Sequence, residues 1–181
     1  MQFTLTYQGQ LKANGDKQHK HAIRTSVHQQ LSVLWQQHPL VSYRDKINND
    51  KPASERILRN IGEFAFAPLI LQNKATVELR LTLLRAERDG AIFTTGGDID
   101  NRLKTLFDAL RMPRTLQELP NDWSPKDHEQ PFFCLTEDDS LITRVNIATH
   151  QWLAPTDPSH VSCMLHVNTH NFPTLWDAFP P

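Results

Sequence analysis

The stretch Gly-Asp-Ile-Asp-Asn-Arg-Leu-Lys-Thr-Leu-Phe-Asp-Ala-Leu-Arg-Met, residues 97–112, predicts a helix that the chain enters through a sharp turn. Gly96 and Gly97 allow that turn, because glycine reaches backbone angles that other residues avoid. Apolar residues then recur at the spacing i, i+3, i+4 and i+7, which places them on one helix face and predicts that this face is buried. The stripe consists of Leu103, Leu106, Phe107 and Leu110.

Carboxylates stand at the start of this helix. Asp98 and Asp100 fall where the free N–H groups and the helix dipole favour negative charge, and Lys104 follows Asp100 by one turn. A second acidic group, Glu137-Asp138-Asp139, precedes a predicted strand. Hard divalent cations such as Mg²⁺ bind a few carboxylate oxygens together with water and substrate phosphate. The two motifs therefore indicate metal-assisted chemistry on a phosphodiester.

A purely structural interpretation of the same residues is also open. Asp98 would cap the helix, Asp100 would pair with Lys104, and residues 137–139 would form a solvated turn. Spacing alone does not separate this interpretation from the catalytic one, because short acidic motifs are common.

The charges of the chain are unevenly distributed. Residues 1–114 contain 17 Lys and Arg against 11 Asp and Glu, whereas residues 115–181 contain 2 against 9. This asymmetry predicts a basic surface in the first part, of the kind that binds nucleic-acid phosphates, although it is equally consistent with charges that only solvate the surface. The candidate phosphate contacts are Lys17, Lys20 and Arg24 on a first predicted helix and Arg102 on the helix of residues 97–112.

Periodicity predicts the remaining elements. Alternating apolar and polar residues indicate strands at 2–7, 77–83, 141–149 and 161–167, and a helical stripe runs from about 17 to 37. The apolar residues of 64–71 indicate a further strand that is broken by Pro68. We expect a single α+β domain over residues 1–181, with a mixed sheet of four or five strands packed with two main helices. Prolines predict an irregular, inserted loop at about 113–133, and residues 170–181 form a short aromatic tail.

Composition narrows the class of protein. Hydrophobic residues make up 39% and charged residues 22% of the chain, as in ordinary globular proteins, and no apolar run reaches membrane-spanning length. Cys134 and Cys163 lie far apart without metal-binding spacing, which favours the cytoplasm and its reducing conditions. Nine histidines show no zinc-finger spacing, so we expect ordinary surface or core histidines.

The run Asp98-Ile99-Asp100-Asn101, followed by Lys104, by Phe107-Asp108-Ala109-Leu110 and by Asp138-Asp139-Ser140, resembles the signature of the RusA family of Holliday junction resolvases. The match is dense over residues 97–112 and 137–142. The resemblance implies a RusA-like homodimer that uses Mg²⁺ or Mn²⁺ to cut four-way DNA junctions in recombination or repair. It also implies that Asp98, Asp100 and Asp139 bind the metal and that Lys104 acts at the scissile phosphate. Glu137 or Asp138 could assist, and Asn101 could orient a ligand carboxylate.

Three other functions remain open at this point. The chain could be a nucleic-acid-binding protein without catalytic activity on a RusA-like fold, which would use its basic half. It could be an adaptor protein whose proline-rich loop and aromatic tail engage another protein. It could also be a nuclease that acts on a different structured nucleic acid.

Overall fold

The computed structural model describes residues 1–47, 57–86, 99–126, 129–153, 157 and 159–171. The predictions for Asp98 and for the tail beyond Asn171 lie outside these residues. Within them the helices are α1 (Lys17–Leu34) and α2 (Ile99–Leu110), with 3-10 helices at Leu40–Ile47, Leu116–Glu118 and Asp139–Leu141. The strands are β1 (Gln2–Gln10), β2 (Arg59–Ile61), β3 (Phe64–Ile70), β4 (Ala75–Arg85), β5 (Phe132–Thr136), β6 (Ile142–Gln151) and β7 (His160–Asn171).

A mixed four-stranded sheet has the order β1-β7-β4-β6. Strand β7 is antiparallel to both β1 and β4, whereas β6 is parallel to β4. In β4, the odd-numbered residues Val77 to Leu83 are buried and the even-numbered ones are not, which is the alternation expected of a sheet with one covered face. Strand β6 is an edge strand, and its central residues are exposed on both faces.

A separate three-stranded sheet has the order β2-β3-β5, with β3 parallel to β5. Every residue of β5 is buried. Strand β3 continues through Pro68, where the sequence predicted a break. The reason is that β2 pairs only with Phe64–Phe66, so Pro68 lies beyond its reach and the missing N–H interrupts no ladder on that side.

The two helices pack on each other, and α1 also covers β1 and β5. Asp16 caps α1, since its carboxylate accepts the His19 N–H at 2.8 Å. The helix ends at Leu34 rather than near residue 37. The apolar faces of both helices enter one core with the sheet, through Ile23, Val27 and Leu31 of α1 and Leu103, Leu106 and Leu110 of α2.

These elements confirm the predicted α+β class, the mixed four-stranded sheet and the two main helices. The sequence did not predict the second sheet, whose parallel β3–β5 pair joins segments that are far apart in the chain. The predicted loop at 113–133 is largely irregular where it is described, apart from Leu116–Glu118 and the start of β5. None of the helices in the described part of the chain is long and apolar enough to cross a membrane.

Candidate functional site

The first turn of α2 exposes two of the predicted site residues. Asp100 and Lys104 are both exposed, and the Asp100 Oδ1 atom accepts the Asn101 N–H at 2.8 Å. Among the described residues, neither side chain has an ion pair, so the Asp100–Lys104 pairing of the structural interpretation does not form. A carboxylate and an ammonium are therefore accessible on one helix face.

The start of α2 is held in place by the loop that precedes α1. The Gly15 N–H donates to the Thr105 hydroxyl at 2.9 Å, and that hydroxyl donates to the Asn101 carbonyl at 3.1 Å. Gly15 leaves no room for a side chain, because a Cβ atom there would lie 2.6 Å from the His19 ring and 2.8 Å from the Thr105 methyl group. The site helix is thus fixed by a close backbone contact.

Asp108, two turns beyond Asp100, has a structural role. Its carboxylate binds the Lys20 ammonium at 2.6 Å and lies 3.5 Å from an Arg111 nitrogen. The Asp108 carbonyl accepts a hydrogen bond from Arg24 at 3.0 Å. Asp108 therefore joins α2 to α1 and is not available to a ligand.

The residues predicted to contact phosphate are buried or already bound to other residues of the protein. Arg24 and Arg102 are only 1% and 9% exposed, so neither presents its guanidinium on the surface of this structure. Lys20 is paired with Asp108, and the Lys17 ammonium donates to the Asn121 side chain. Arg24 is buried because its guanidinium donates to carbonyls of α2 and of Arg111, partners that lie more than 80 residues away in the chain.

Glu137, a possible auxiliary ligand, also has a structural role. Its Oε1 atom lies 2.6 Å from the Arg59 Nε atom, and its Oε2 atom accepts the Gln72 N–H at 2.8 Å. Both carboxylate oxygens are engaged, and the side chain is only 17% exposed. These contacts connect the end of β5 to β2 and to the turn after β3.

Asp138 and Asp139 share one cation, Arg114. The Arg114 Nη2 atom lies 2.7 Å from Asp138 Oδ2 and 3.0 Å from Asp139 Oδ1. The Ser140 backbone N–H, the Ser140 hydroxyl and Arg114 together hold the pKa of Asp138 well below its usual range. We call residues 138 and 139 the acidic turn. Because it already binds a guanidinium, its geometry suits a positively charged group.

The two acidic motifs lie on elements that are in contact. Helix α2 contacts the 3-10 helix Asp139–Leu141, and Leu141 belongs to the same core as Leu103 and Leu106. The described side chains do not, however, include a group of three His, Cys, Asp or Glu residues that could hold a metal ion. Asp98, the third predicted ligand on the helix side, is not among them.

Two of the three histidines of α1, His21 and His28, are buried core residues. The His28 Nδ1 atom accepts the Phe133 N–H at 2.8 Å, and its ring stacks on Phe132 at 4.1 Å. Burial lowers the pKa of His21 to about 4. Trp123 packs against His21 at 4.5 Å and against Phe132 at 5.4 Å between ring centroids. The tryptophan thus fixes the irregular loop to the core.

Sequence reasoning missed Arg114 as part of the site. Its sequence signal is weak, since it is one basic residue placed after a proline that follows the helix. Comparison of the chain with protein-family models, with curated proteins and with solved structures finds no match.

Proposed function

We propose that the protein is a divalent-metal-dependent endonuclease that cuts branched DNA, with four-way junctions as its substrate in recombination or repair. The observation that carries this proposal is the exposure of Asp100 and Lys104, neither of which has an ion pair with another described residue, on α2, a helix that contacts the 3-10 helix bearing Asp139. Asp98, Asp100 and Asp139 would hold Mg²⁺ or Mn²⁺, whose preference for carboxylate oxygen matches this set. A bound metal ion lowers the pKa of an attacking water and neutralises charge on the phosphate.

The other residues of the site have roles that follow from their contacts. The Asn101 N–H holds one oxygen of Asp100 and so fixes the orientation of the other. The Lys104 ammonium, with no partner among the described residues, would stabilise negative charge at the scissile phosphate. A homodimer would present two such sites, as symmetric cutting of a two-fold junction requires. The RusA-like signature and the unpaired cysteines are consistent with action in the cytoplasm.

The test is cleavage of labelled four-way junction, flap, duplex and single-stranded DNA with Mg²⁺, Mn²⁺ or EDTA. We expect paired symmetric nicks in the junction that disappear in EDTA and in Asp100→Asn, while the variant still binds DNA. Lys104→Ala should turn over more slowly with little loss of affinity. Asp122→Asn removes an exposed carboxylate from the loop after α2 and is the matched control with wild-type activity.

Two outcomes would change the proposal. Full activity of Asp100→Asn would refute the metal site on α2. Metal-dependent cutting of a flap or single strand, with the junction left intact, would keep the site and replace the substrate.

A second candidate is a nucleic-acid-binding protein without catalytic activity. The specific observation in its favour is Arg114, which occupies the acidic turn where a catalytic metal would be expected to bind. An intact protein that cuts none of the substrates, but binds DNA in EDTA with strong salt dependence, would establish this function.

A further inference from the structure

The outward face of the four-stranded sheet is largely exposed and carries one acidic residue. It carries the even-numbered side chains of β1, β4, β6 and β7, and we call it the open face. One row of neighbouring side chains across the four strands of this face consists of Thr4, His166, Arg80 and Asn146. Along the four strands these even-numbered positions include one acidic residue, Glu78, although the whole chain contains 20.

The charge of this one carboxylate is already compensated. Glu78 lies 3.7 Å from an Arg144 nitrogen and 3.5 Å from the His170 Nε2 atom. Arg80 is in the next row, is exposed and has no hydrogen bond or ion pair with the described residues. The open face therefore presents two arginines against one glutamate, with the Arg80 guanidinium available to a ligand.

A shallow groove of about 640 Å³ runs over this part of the face. Its polar lining includes Arg80, Arg144, Asn146 and His166. Guanidinium groups bind phosphate oxygens through two parallel hydrogen bonds, and the neighbouring amide and imidazole groups can donate to phosphate or sugar oxygens. Since rows on one face are about 7 Å apart along the strands, Arg80 and Arg144 can contact different phosphates of one extended backbone.

Along β6 the groove lining begins at Arg144, a few residues after the acidic turn in the chain. Strand β6 begins at Ile142, directly after the 3-10 helix Asp139–Leu141, and Ile142 pairs with Val77. Glu78 and Arg144 form the next pair, and Arg80 and Asn146 form the following pair on the open face. A strand of nucleic acid along the groove would therefore reach the acidic turn at one end of the sheet.

We propose that the open face, centred on Arg80, binds the phosphodiester backbone of a nucleic acid and leads it to the acidic turn. The choice of a phosphodiester over an acidic polypeptide rests on the proposed function. This binding surface is distinct from the contacts predicted on α1 and α2, and it requires no metal.

Binding is measured by fluorescence anisotropy with labelled DNA in EDTA, which excludes cutting. Single-stranded and duplex probes of equal length are used as separate arms, and the arm with the larger effect identifies the bound form. We expect Arg80→Gln to weaken binding about fivefold, the equivalent of one exposed ion pair. The slope of log affinity against log salt should fall by about 0.7 for a single strand or about 0.9 for a duplex.

The control is Lys126→Gln, which removes one exposed positive charge outside the sheet. The side chains of Arg80 and Arg144 are exposed, so variants at these two positions should unfold at the same temperature as the wild type. Unchanged affinity and slope in the Arg80→Gln/Arg144→Gln double variant would overturn the proposal, as would an equal loss in the control. Capture of polyglutamate by the wild type, in place of DNA, would assign the face to an acidic polypeptide instead.

This test and the cleavage test fail independently. If the open face is assigned correctly but the metal site is not, the arginine variants lose DNA affinity and no protein cuts DNA. If only the metal site is correct, the arginine variants cut DNA with an unchanged KM.

Discussion

The substitution His21→Phe should remove the loss of folding stability at low pH that the buried His21 side chain causes. The His21 ring is 6% exposed and packs between Trp123 and Phe132. Neither ring nitrogen has a hydrogen-bond partner among the described residues. Burial in this apolar layer, with a smaller effect from the charge of Arg24, lowers the pKa of His21 to about 4.

The sign and size of the effect follow from this pKa. In the unfolded chain the histidine has a pKa of about 6.5, so between pH 6.5 and 4 the unfolded state binds a proton that the folded state does not. The stabilisation is present in full above pH 6.5 and is lost as the pH falls. The difference between the two pKa values corresponds to about 3 kcal/mol in total, of which about 2 kcal/mol is lost by pH 5.

Urea unfolding at pH 7.5 and pH 5.0 measures this loss. The wild type should lose about 2 kcal/mol more stability than His21→Phe between the two conditions, because the other titrating groups are common to both proteins. His150→Gln changes an exposed histidine and should behave as the wild type. Equal losses in the wild type and in His21→Phe would show that His21 titrates alike in both states, which refutes the reasoning.

Three further substitutions test the site and its supports. Arg114→Gln removes the cation from the acidic turn, so Mg²⁺ no longer competes with a guanidinium for these carboxylates. Since exposed ion pairs contribute at most about 1 kcal/mol, the apparent Kd for Mg²⁺ should fall up to about fivefold in a metal titration of cleavage. A higher Kd would contradict this competition between Arg114 and the metal. Gly15→Ala should cost about 1–3 kcal/mol in urea unfolding, because its Cβ atom meets His19 and Thr105, and wild-type stability would mean that the loop yields. Trp123→Ala should lower the free energy of unfolding by about 3 kcal/mol, because the ring contacts are lost, and proteolysis of the loop should accelerate. An unchanged rate of proteolysis in the loop would exclude the anchoring role.

Local periodicity made the regular elements predictable. The alternation from Val77 to Leu83 and the stripe from Leu103 to Leu110 depend only on neighbours in sequence, and both elements form as expected. Asp100 and Lys104 lie beside the apolar stripe and not within it, and both are exposed.

Contacts between distant segments could not be predicted in this way. The count of 17 basic residues in residues 1–114 suggested a basic surface, yet four of those arginines are buried: Arg24, Arg85, Arg102 and Arg111. Their burial depends on tertiary partners, as when Arg24 donates to the Asp108 carbonyl at 3.0 Å and to the Arg111 carbonyl at 3.2 Å. Likewise, the sequence suggested Glu137 as a possible metal ligand, but in the structure its carboxylate binds Arg59, which lies 78 residues earlier in the chain.

Because these four arginines are buried, a phosphate has to bind to other positive charges on the surface. The exposed positive charges of the described residues then include Lys104 on α2 and Arg80 and Arg144 on the open face. A phosphodiester held by these groups would approach the carboxylates of Asp138 and Asp139, which repel it unless a cation lies between them. Arg114 is such a cation in this structure, and a divalent metal with twice the charge would neutralise the turn more completely. If metal and nucleic acid bind as proposed, this arrangement of charge predicts that each increases the affinity for the other.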